Sequence, residues 1–465
     1  MSTKVAIIGG GSGGYVAAIR LAQLGASPTL IEKEKMGGTC LNVGCIPTKV
    51  LLHYGELLTS YDEGSEFGIT YDISKLNWRK IIDKKSAISN QLVMGINSLM
   101  KSNKIEVIKG EATFISKNEI SIKQDGKSIN RKFDKFIIAT GSVPSIPPIT
   151  GIKDSKNCID STAALELESI PKSMVVIGGG VIGVELADMY NSFGTKVTII
   201  EAMPKLLPMM DSQLTLQLVD QLKKKGIDIY SSAKVVEVTD KGNISSVKAE
   251  IEGKLQSFEA EKVLVAVGRK PYSDGLGLEK IGVKTDRGRV ITDKHMKTSV
   301  EGIYAVGDCI GDIMLAHVAS AQGEVAAENV MGNNKEYSDK TVASCIYTSP
   351  EFAGVGYTED QLKEKKISYE VGTFPLLANG KSLIANGGVG MIKILKGVEY
   401  KEILGVHILG PRATDLIAEG ALAIGMEATV EDIIETIHPH PTVSEALHEA
   451  VLASEKICIH MPNKK

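Results

Sequence analysis

The stretch VAIIGGGSGG at residues 5–14 decides the fold, because a close copy of it, VVIGGGVIG, returns at residues 175–183. The spacing between the two copies also carries Glu32 onto Glu201. Each copy reads as a short β-branched strand, a tight glycine turn, a helix and a second strand. This self-similarity indicates two copies of one supersecondary unit, at an interval too long for a solenoid repeat.

The glycines of each copy have separate tasks. The first forms the tight turn, the second lets the backbone approach a pyrophosphate, and the third lets helix and strand pack closely. The phosphates then lie at the positive N-terminus of the helix, and an acid at the end of the second strand accepts hydrogen bonds from a ribose. One such motif could equally be a glycine turn without a ligand, but two copies in the same context predict two dinucleotide sites. They comprise Gly9, Gly11, Gly14 and Glu32 in the first copy, and Gly178, Gly180, Gly183 and Glu201 in the second.

Composition excludes several other classes of protein. The 465 residues include 53 basic and 56 acidic side chains, a formal net charge of −3, which gives no reason to expect nucleic acid or a membrane surface as a partner. The longest run without a polar side chain, residues 174–184, is too short to span a bilayer, and no signal peptide is visible. Six cysteines are too few for a disulfide scaffold, so a reducing cytoplasm is the expected location.

The two copies diverge just past their acidic residues. Residues 37–49 read GGTCLNVGCIPTK, and nothing comparable follows Glu201. Cys40 and Cys45 could be small buried hydrophobic residues, and a zinc site fits poorly because no second Cys or His pair lies nearby. Two thiols this close can form a small disulfide loop, and in a reducing cell such a bridge is more often catalytic than structural.

The segment at residues 37–49 resembles the active site of the flavin disulfide reductases, most closely their dihydrolipoamide dehydrogenase branch, and the resemblance covers essentially the whole chain. It implies an α/β fold with two Rossmann-like dinucleotide-binding domains and a C-terminal α+β dimerisation domain. The implied domains are an FAD-binding domain at 1–147, an NAD-binding domain at 148–271, a central domain completing the FAD site at 272–342, and the dimerisation domain at 343–465.

The resemblance also assigns roles to four residues near the two motifs. Cys40 would exchange with the substrate, and the Cys45 thiolate would lie against the flavin in a charge-transfer contact. Lys49 would lie beside the flavin ring and pair with Glu185. A cation there would stabilise the reduced, anionic flavin.

Further cofactor contacts are implied in the same way, although each motif alone would be an ordinary turn. Asp308 would accept hydrogen bonds from ribitol or ribose hydroxyls. The remaining contacts would come from Thr140 and Gly141 at the end of the first flavin segment, from Met314, Leu315, Ala316 and His317 along the pyrimidine edge of the flavin, from Ala112 and Val236 in the adenine pockets, and from Gly268 in the turn closing the second Rossmann domain.

Residues 438–445, HPHPTVSE, form the second specific signal. A metal clamp is disfavoured, because the prolines restrict the backbone and no third ligand is obvious, so no metal is expected. By resemblance His440 is the acid–base catalyst and Glu445 orients it, and an imidazole suits this task because its pKa lies near neutrality. The histidine would reach the cysteines from the other subunit, so a homodimer is implied.

The implied activity is oxidation of dihydrolipoamide to lipoamide with FAD and NAD⁺, on lipoyl domains of 2-oxoacid dehydrogenase or glycine cleavage complexes. NAD is favoured over NADP, because Glu201 would repel a 2′-phosphate. Three alternatives stay open: a related NAD(P)H-dependent disulfide or metal reductase of the glutathione or mercuric type, a flavoprotein transhydrogenase, and a non-catalytic docking or redox-sensing subunit.

Overall fold

The computed structural model describes residues 2–64, 67–69, 72 and 75–463. The elements of the N-terminal part are β1 (Lys4–Ile8), α1 (Ser12–Gln23), β2 (Ser27–Glu32), α2 (Gly38–Val43), α3 (Cys45–Gly64), α4 (Trp78–Ser102), β3 (Glu106–Lys109), β4 (Glu111–Ser116), β5 (Glu119–Gln124), β6 (Lys127–Lys132), β7 (Lys135–Ile138) and β8 (Ser142–Pro144).

The second part of the chain repeats the alternation of strands and helices. Its elements are β9 (Cys158–Ile159), α5 (Ser161–Ala164), β10 (Ser173–Ile177), α6 (Val181–Ser192), β11 (Lys196–Ile200), α7 (Ser212–Lys224), β12 (Asp228–Tyr230), β13 (Ala233–Lys241), β14 (Ile244–Ile251), β15 (Lys254–Ala260), β16 (Lys262–Val265) and β17 (Arg269–Pro271).

The remaining elements fall into a connecting part and a C-terminal part. The connecting part contains α8 (Leu278–Ile281), β18 (Thr285–Asp286), β19 (Arg289–Val290), β20 (Ile303–Ala305), a 3₁₀ turn at Gly307–Ile310 and α9 (Ala316–Val330). The C-terminal part contains β21 (Ser344–Ile346), β22 (Glu351–Gly356), α10 (Glu359–Lys365), β23 (Tyr369–Pro375), a 3₁₀ turn at Leu376–Ala378, α11 (Gly380–Asn386), β24 (Met391–Gly397), β25 (Ile403–Gly410), α12 (Ala413–Gly425), α13 (Val430–Ile434) and α14 (Glu445–Ser454).

The first sheet is parallel, with the strand order β20-β7-β1-β2-β3. Its central strand is apolar throughout residues 5–8 and buried, as expected of a strand covered on both faces. The edge strand β20 comes from the connecting part of the chain, far along the sequence from the other four. Helix α9 then packs on α1 so closely that a Cβ on Gly323 would lie 2.5 Å from the carbonyl oxygen of Gly13. The start of α9, which includes Ala316 and His317, is thereby held beside the first glycine turn.

The second sheet repeats this design, with the parallel order β12-β11-β10-β16-β9. Each parallel sheet is accompanied by a three-stranded antiparallel sheet, β4-β5-β6 in the first part and β13-β14-β15 in the second. The repeat seen in the sequence is therefore a repeat of two Rossmann-like units, each with its own buried core.

The C-terminal part is built differently, around a five-stranded antiparallel sheet in the order β21-β22-β25-β24-β23. Helices α12 and α14 bury apolar residues such as Ile417 and Leu447 in its core. An antiparallel sheet with helices packed against it is an α+β arrangement. The architecture thus agrees with the fold class predicted from the sequence. No helix among the described residues is long and apolar enough to cross a bilayer.

Candidate active site

A cavity of about 1610 Å³ runs past both glycine turns. This volume exceeds the ~300–1,000 Å³ that is usual for a small-molecule pocket, and it suits two large ligands. The residues predicted from the sequence that line it are Gly11, Cys40, Cys45, Lys49, Gly141, Gly178, Gly180, Glu185, Glu201, Val236, Gly268, Asp308, Met314, Leu315, Ala316 and His317.

The glycine turns fit a dinucleotide at the position where its phosphates would lie. A Cβ added to Gly180 would meet no atom within 4 Å, and one added to Gly11 would meet only the Cα of Gly38, at 3.9 Å. Both positions line the cavity, so the missing side chains leave space that faces the ligand. Because α1 and α6 begin immediately after these glycines, the positive helix N-termini face the same space.

The other glycines of the two turns are required by the fold itself. Gly9 and Gly178 have φ angles of +111° and +113°, in the region that favours glycine. A Cβ on Gly14 would lie 1.9 Å from the carbonyl oxygen of Gly9, and one on Gly183 would lie 2.1 Å from that of Gly178. These four residues shape the turns, while Gly11 and Gly180 face the cavity.

The two acids at the ends of β2 and β11 bind the backbone of their own turns. Glu32 accepts hydrogen bonds from the N–H groups of Gly10 and Glu34, each at 2.6 Å. Glu201 accepts from the N–H of Gly179 at 2.5 Å and from that of Met203 at 2.6 Å. This bracing of the turn by the acid was missed by sequence reasoning, which considered only a ribose as its partner.

The two cysteines lie at the junction of α2 and α3, where Cys40 belongs to α2 and Cys45 begins α3. Both are free thiols, and they are joined by a hydrogen bond. The bond donated by the Cys40 thiol lowers the pKa of Cys45 to about 7, against the effect of burial and with the help of the charge on Lys49. The same bond, together with burial, raises the pKa of Cys40. The interaction thus favours ionisation at Cys45 over ionisation at Cys40.

Lys49, one helical turn after Cys45, forms an ion pair in the wall of the cavity. Its Nζ donates to both carboxylate oxygens of Glu185 on α6, at 2.8 and 3.0 Å. The carboxylate is almost fully buried, whereas the lysine is partly exposed to the cavity. The second Rossmann-like unit thus supplies the counterion for the cation next to the dithiol.

Asp308, in the 3₁₀ turn after β20, belongs to a network that joins the two Rossmann-like units. The Ser142 hydroxyl donates to its Oδ2 at 2.5 Å, and Arg269 Nε donates to the same hydroxyl at 2.7 Å. Nearby, the Thr140 hydroxyl donates to the carbonyl oxygen of Tyr272 at 2.5 Å. Ser142 and Arg269 were not predicted as site residues, although each directly follows a glycine that was.

His440 and Glu445 are paired but lie outside the cavity. His440 Nδ1 is 2.8 Å from Glu445 Oε1, and the N–H of Thr442 donates to Oε2 of the same carboxylate at 2.9 Å. Burial would raise the pKa of Glu445, but the hydrogen bonds from Thr442 and His440 outweigh it and lower the pKa. The imidazole is 81% exposed, so within one chain the structure does not bring it to Cys40 and Cys45.

The other predicted site residues that do not line the cavity are Gly9, Gly14, Glu32, Thr140 and Gly183 in or beside the turns, and Ala112 within β4. Ala112 is buried in the hydrophobic core of the first unit. The adenine contact assigned to it therefore stays a prediction. Across the described part of the chain, no group of three or more His, Cys, Asp or Glu side chains is arranged to hold a metal ion.

Two family models match the chain. The pyridine nucleotide-disulphide oxidoreductase model covers residues 3–323, which include both glycine turns and the dithiol. The model of the dimerisation domain of the same family covers residues 342–451, which include the His440–Glu445 pair.

Individual relatives agree with the family models. Dihydrolipoyl dehydrogenase of Bacillus subtilis is 41% identical over 98% of each chain, and that of Thermus scotoductus is 43% identical over 98% of each chain. Among solved structures, the flavoprotein disulfide reductase RclA of Escherichia coli superposes with a TM-score of 0.87 at 28% identity, covering 97% of this chain and 99% of RclA. These likenesses confirm the resemblance found in the sequence, and the chain belongs to the pyridine nucleotide-disulphide oxidoreductase family.

Proposed function

We propose that this chain is an NAD-dependent dihydrolipoyl dehydrogenase, which oxidises a dihydrolipoyl group to its disulfide. The observation that carries the proposal is that the free cysteines Cys40 and Cys45 line a cavity that both glycine turns also line. A dithiol that exchanged electrons with one dinucleotide alone would require only one glycine turn. The presence of the second turn in the same cavity favours transfer to a second dinucleotide. Curated relatives above 40% identity that bear this name support the assignment of the substrate.

The cofactors of this family are FAD and NAD. The first turn, with Gly11, and the network at Asp308 would hold FAD, while the second turn, with Gly180 and Glu201, would hold NAD. When bound, FAD would accept the electron pair of the dithiol, and NAD⁺ would accept it from the reduced flavin as hydride. Glu201 lines the cavity beside the second turn, and its negative charge would repel the 2′-phosphate of NADP, which favours NAD.

The sulfur chemistry follows from the asymmetry of the dithiol. In the oxidised protein, a substrate thiolate attacks the sulfur of Cys40, and Cys45 leaves as the thiolate that its low pKa favours. The second substrate thiolate then attacks the substrate sulfur of the mixed disulfide, the bond to Cys40 breaks and the cyclic disulfide product leaves. Cys40 then takes up a proton from the acid–base histidine. Lys49 balances the negative charge that collects at Cys45 while Glu185 holds the lysine in place.

Proton transfer would come from the second copy of the chain in a homodimer. The hydrogen bond from Nδ1 to Glu445 leaves Nε2 of His440 free to accept a proton from a substrate thiol. Next to this pair, Ile437 is 95% exposed, and Leu422 and Met426 are also exposed. Apolar side chains that stand in water beside an incomplete site favour burial against a partner, here the same surface of another copy.

Lipoyl groups carried on the domains of 2-oxoacid dehydrogenase or glycine cleavage complexes are the proposed physiological partners. A lipoyl arm is a slender, flexible dithiol, and Cys40 and Cys45 lie in the wall of a large cavity. The proposal therefore concerns the lipoyl arm as substrate. The choice of complex depends on surfaces outside this cavity.

The test is an anaerobic titration of the purified protein with dihydrolipoamide, followed by turnover with NAD⁺. A long-wavelength thiolate–flavin band and rapid reduction of NAD⁺ are expected, with little activity towards glutathione or Hg²⁺. Cys45→Ser should keep the bound flavin and abolish turnover. Cys345→Ser changes another cysteine in the wall of the same cavity and should keep both the flavin and the turnover. Full turnover by the Cys45→Ser protein would reject the dithiol mechanism, and faster turnover of glutathione or Hg²⁺ would favour one of the related reductases.

A further inference from the structure

Tyr347, which follows β21 in the C-terminal part of the chain, contacts both members of the Lys49–Glu185 ion pair. The Nζ of Lys49 lies 4.3 Å from the centroid of the Tyr347 ring, within the range of a cation–π contact. The N–H of Tyr347 donates to Glu185 Oε1 at 2.9 Å. The side chain also lines the cavity that contains the dithiol.

The backbone that carries the ring is held by contacts that do not involve the lysine. Helix α6 presents two buried carboxylates, Glu185 and Asp188, to the segment after β21. Glu185 binds the N–H of Tyr347, and Asp188 Oδ2 accepts from the N–H of Ser349 at 3.0 Å. Asp188 is neutralised in turn by Lys225 at 2.7 Å. The ring is therefore carried by a segment that is held in place, and its face lies 4.3 Å from the ammonium group.

An ammonium in a partly dry cavity needs attraction on more than one side to stay in one place. Glu185 supplies two acceptors on one side of Lys49, and the Tyr347 ring supplies a negative face on another. We propose that Tyr347 is a positioning residue of this active site, whose ring face holds the Lys49 ammonium group beside the dithiol. This inference rests on the proposed function, in which Lys49 acts on the charge at Cys45.

The effect of the ring should be measurable at Cys45. The groups that act on this thiol are Cys40, whose hydrogen bond lowers the pKa of Cys45, Lys49, which lowers it, and Glu185, which raises it. A lysine that leaves its place becomes hydrated and acts less on the thiolate, while Glu185 stays where α6 holds it. Loosening Lys49 should therefore raise the pKa of Cys45.

The experiment measures the pH at which Cys45 is half ionised, from the rate of its alkylation by iodoacetamide in the reduced full-length protein, with peptide mapping to separate the cysteines. Tyr347→Leu, which removes the aromatic face, should raise this pH by about half a unit. Tyr347→Phe, which keeps the face, should leave it unchanged. Tyr357→Leu is the matched control, because Tyr357 has a similar exposure and lies 5.8 Å from Lys365, away from the dithiol.

A second series tests the ring without changing its shape. Phenylalanines with increasing numbers of fluorine atoms at position 347 progressively weaken the negative face, and the half-ionisation pH of Cys45 should rise with each step. This series decides the matter even if Tyr347→Leu does not fold. An unchanged pH across it, or an equal shift from Tyr347→Phe, would overturn the inference. Because alkylation needs no lipoamide, a protein that follows the fluorine series but does not oxidise dihydrolipoamide would reject the proposed function and keep the role of Tyr347.

Discussion

The difference in reactivity between the two sulfurs of the dithiol comes from individual neighbouring side chains. Cys40 and Cys45 are both half-buried and both lie near the charge of Lys49, but only Cys45 accepts the hydrogen bond of its partner. Its place at the start of α3 adds the favourable end of the helix dipole. One sulfur is thus a good leaving group and the other is open to attack. Resemblance to a family assigned these roles from the sequence, and the contacts of the two sulfurs supply a physical reason for them.

His440 is the residue whose substitution best separates the two halves of the proposed reaction. We expect His440→Gln to slow lipoamide turnover by about 100-fold or more, because a positioned acid–base group contributes on this order. Flavin reduction by NADH should be nearly unchanged, since the imidazole lies outside the cavity. Stopped-flow spectroscopy of the two half-reactions makes the comparison.

A control for this measurement lies on the same loop. His438, with 7% of its side chain exposed, lies 2.8 Å from Glu419, and His438→Gln alters the loop without removing the His440–Glu445 pair. A smaller loss of turnover is expected from His438→Gln than from His440→Gln. Equal slowing of both half-reactions by His440→Gln would remove this histidine from the proposed acid–base role.

At the scale of elements, the two strand–turn–helix units show how much of a fold is determined by residues that are close in the sequence. The glycine spacing and the apolar strands predicted each unit from the sequence, because turn geometry and strand burial depend on neighbours in the chain. The helix predicted after each glycine turn corresponds to α1 and α6, and the second strand of each unit corresponds to β2 and β11. Contacts between distant elements, such as Tyr347 with Lys49, leave no comparable trace in a single sequence.

Two glycines of the second turn have different roles, one in ligand binding and one in packing, and substitution by alanine can separate these roles. Gly180→Ala should fold normally, because its Cβ meets nothing in the protein, but it should weaken NAD binding by at least about tenfold by filling the ligand's space. Gly183→Ala should instead destabilise the second Rossmann-like unit by about 1–3 kcal/mol, since its Cβ would strike the Gly178 carbonyl. Calorimetric titration with NAD⁺ and urea unfolding separate the two effects. Normal NAD affinity in Gly180→Ala would place the pyrophosphate elsewhere.

At the scale of the whole molecule, a buried ion cluster joins the second Rossmann-like unit to the C-terminal part. Lys393 on β24, with 1% of its side chain exposed, lies 3.0 Å from Asp211 before α7 and 2.6 Å from Glu359 on α10. Burial would raise the pKa of Glu359, but hydrogen bonds from lysines 363 and 393 and from Tyr369 outweigh it and lower the pKa to about 2. The stabilisation from this carboxylate is therefore present above its unfolded pKa and is lost as the pH falls through about 2.

Removing the central cation of this cluster should weaken the contact between the two parts of the chain. Lys393→Met leaves two carboxylates facing each other, one of them buried, so we expect the free energy of unfolding to fall by roughly 3 kcal/mol. Lys363→Met removes a cation from the same Glu359, but this lysine is exposed and little change is expected. Urea unfolding of both variants tests the contrast. A midpoint for Lys393→Met equal to that of the unsubstituted protein would show that the buried cluster contributes nothing to stability.

The predicted family, the fold class and the FAD and NAD cofactors are confirmed, because the motifs that carry them are local and specific. The assigned domain limits, individual site residues and lipoyl-bearing partners stay predictions. The bracing of each turn by its acid, the Ser142–Arg269–Asp308 network and the Lys393 cluster escaped prediction. Each depends on side chains that only the folded chain brings together.

The His440–Glu445 pair lies on the outer surface, away from the cysteines of its own chain. This placement has a consequence for the activity of dimers that combine two different variants. If each active site receives its histidine from the other subunit, a newly made monomer does not oxidise dithiols until it dimerises. Two differently damaged copies, one lacking Cys45 and one lacking His440, would then rebuild one sound site when paired, so that a mixed population outperforms either parent.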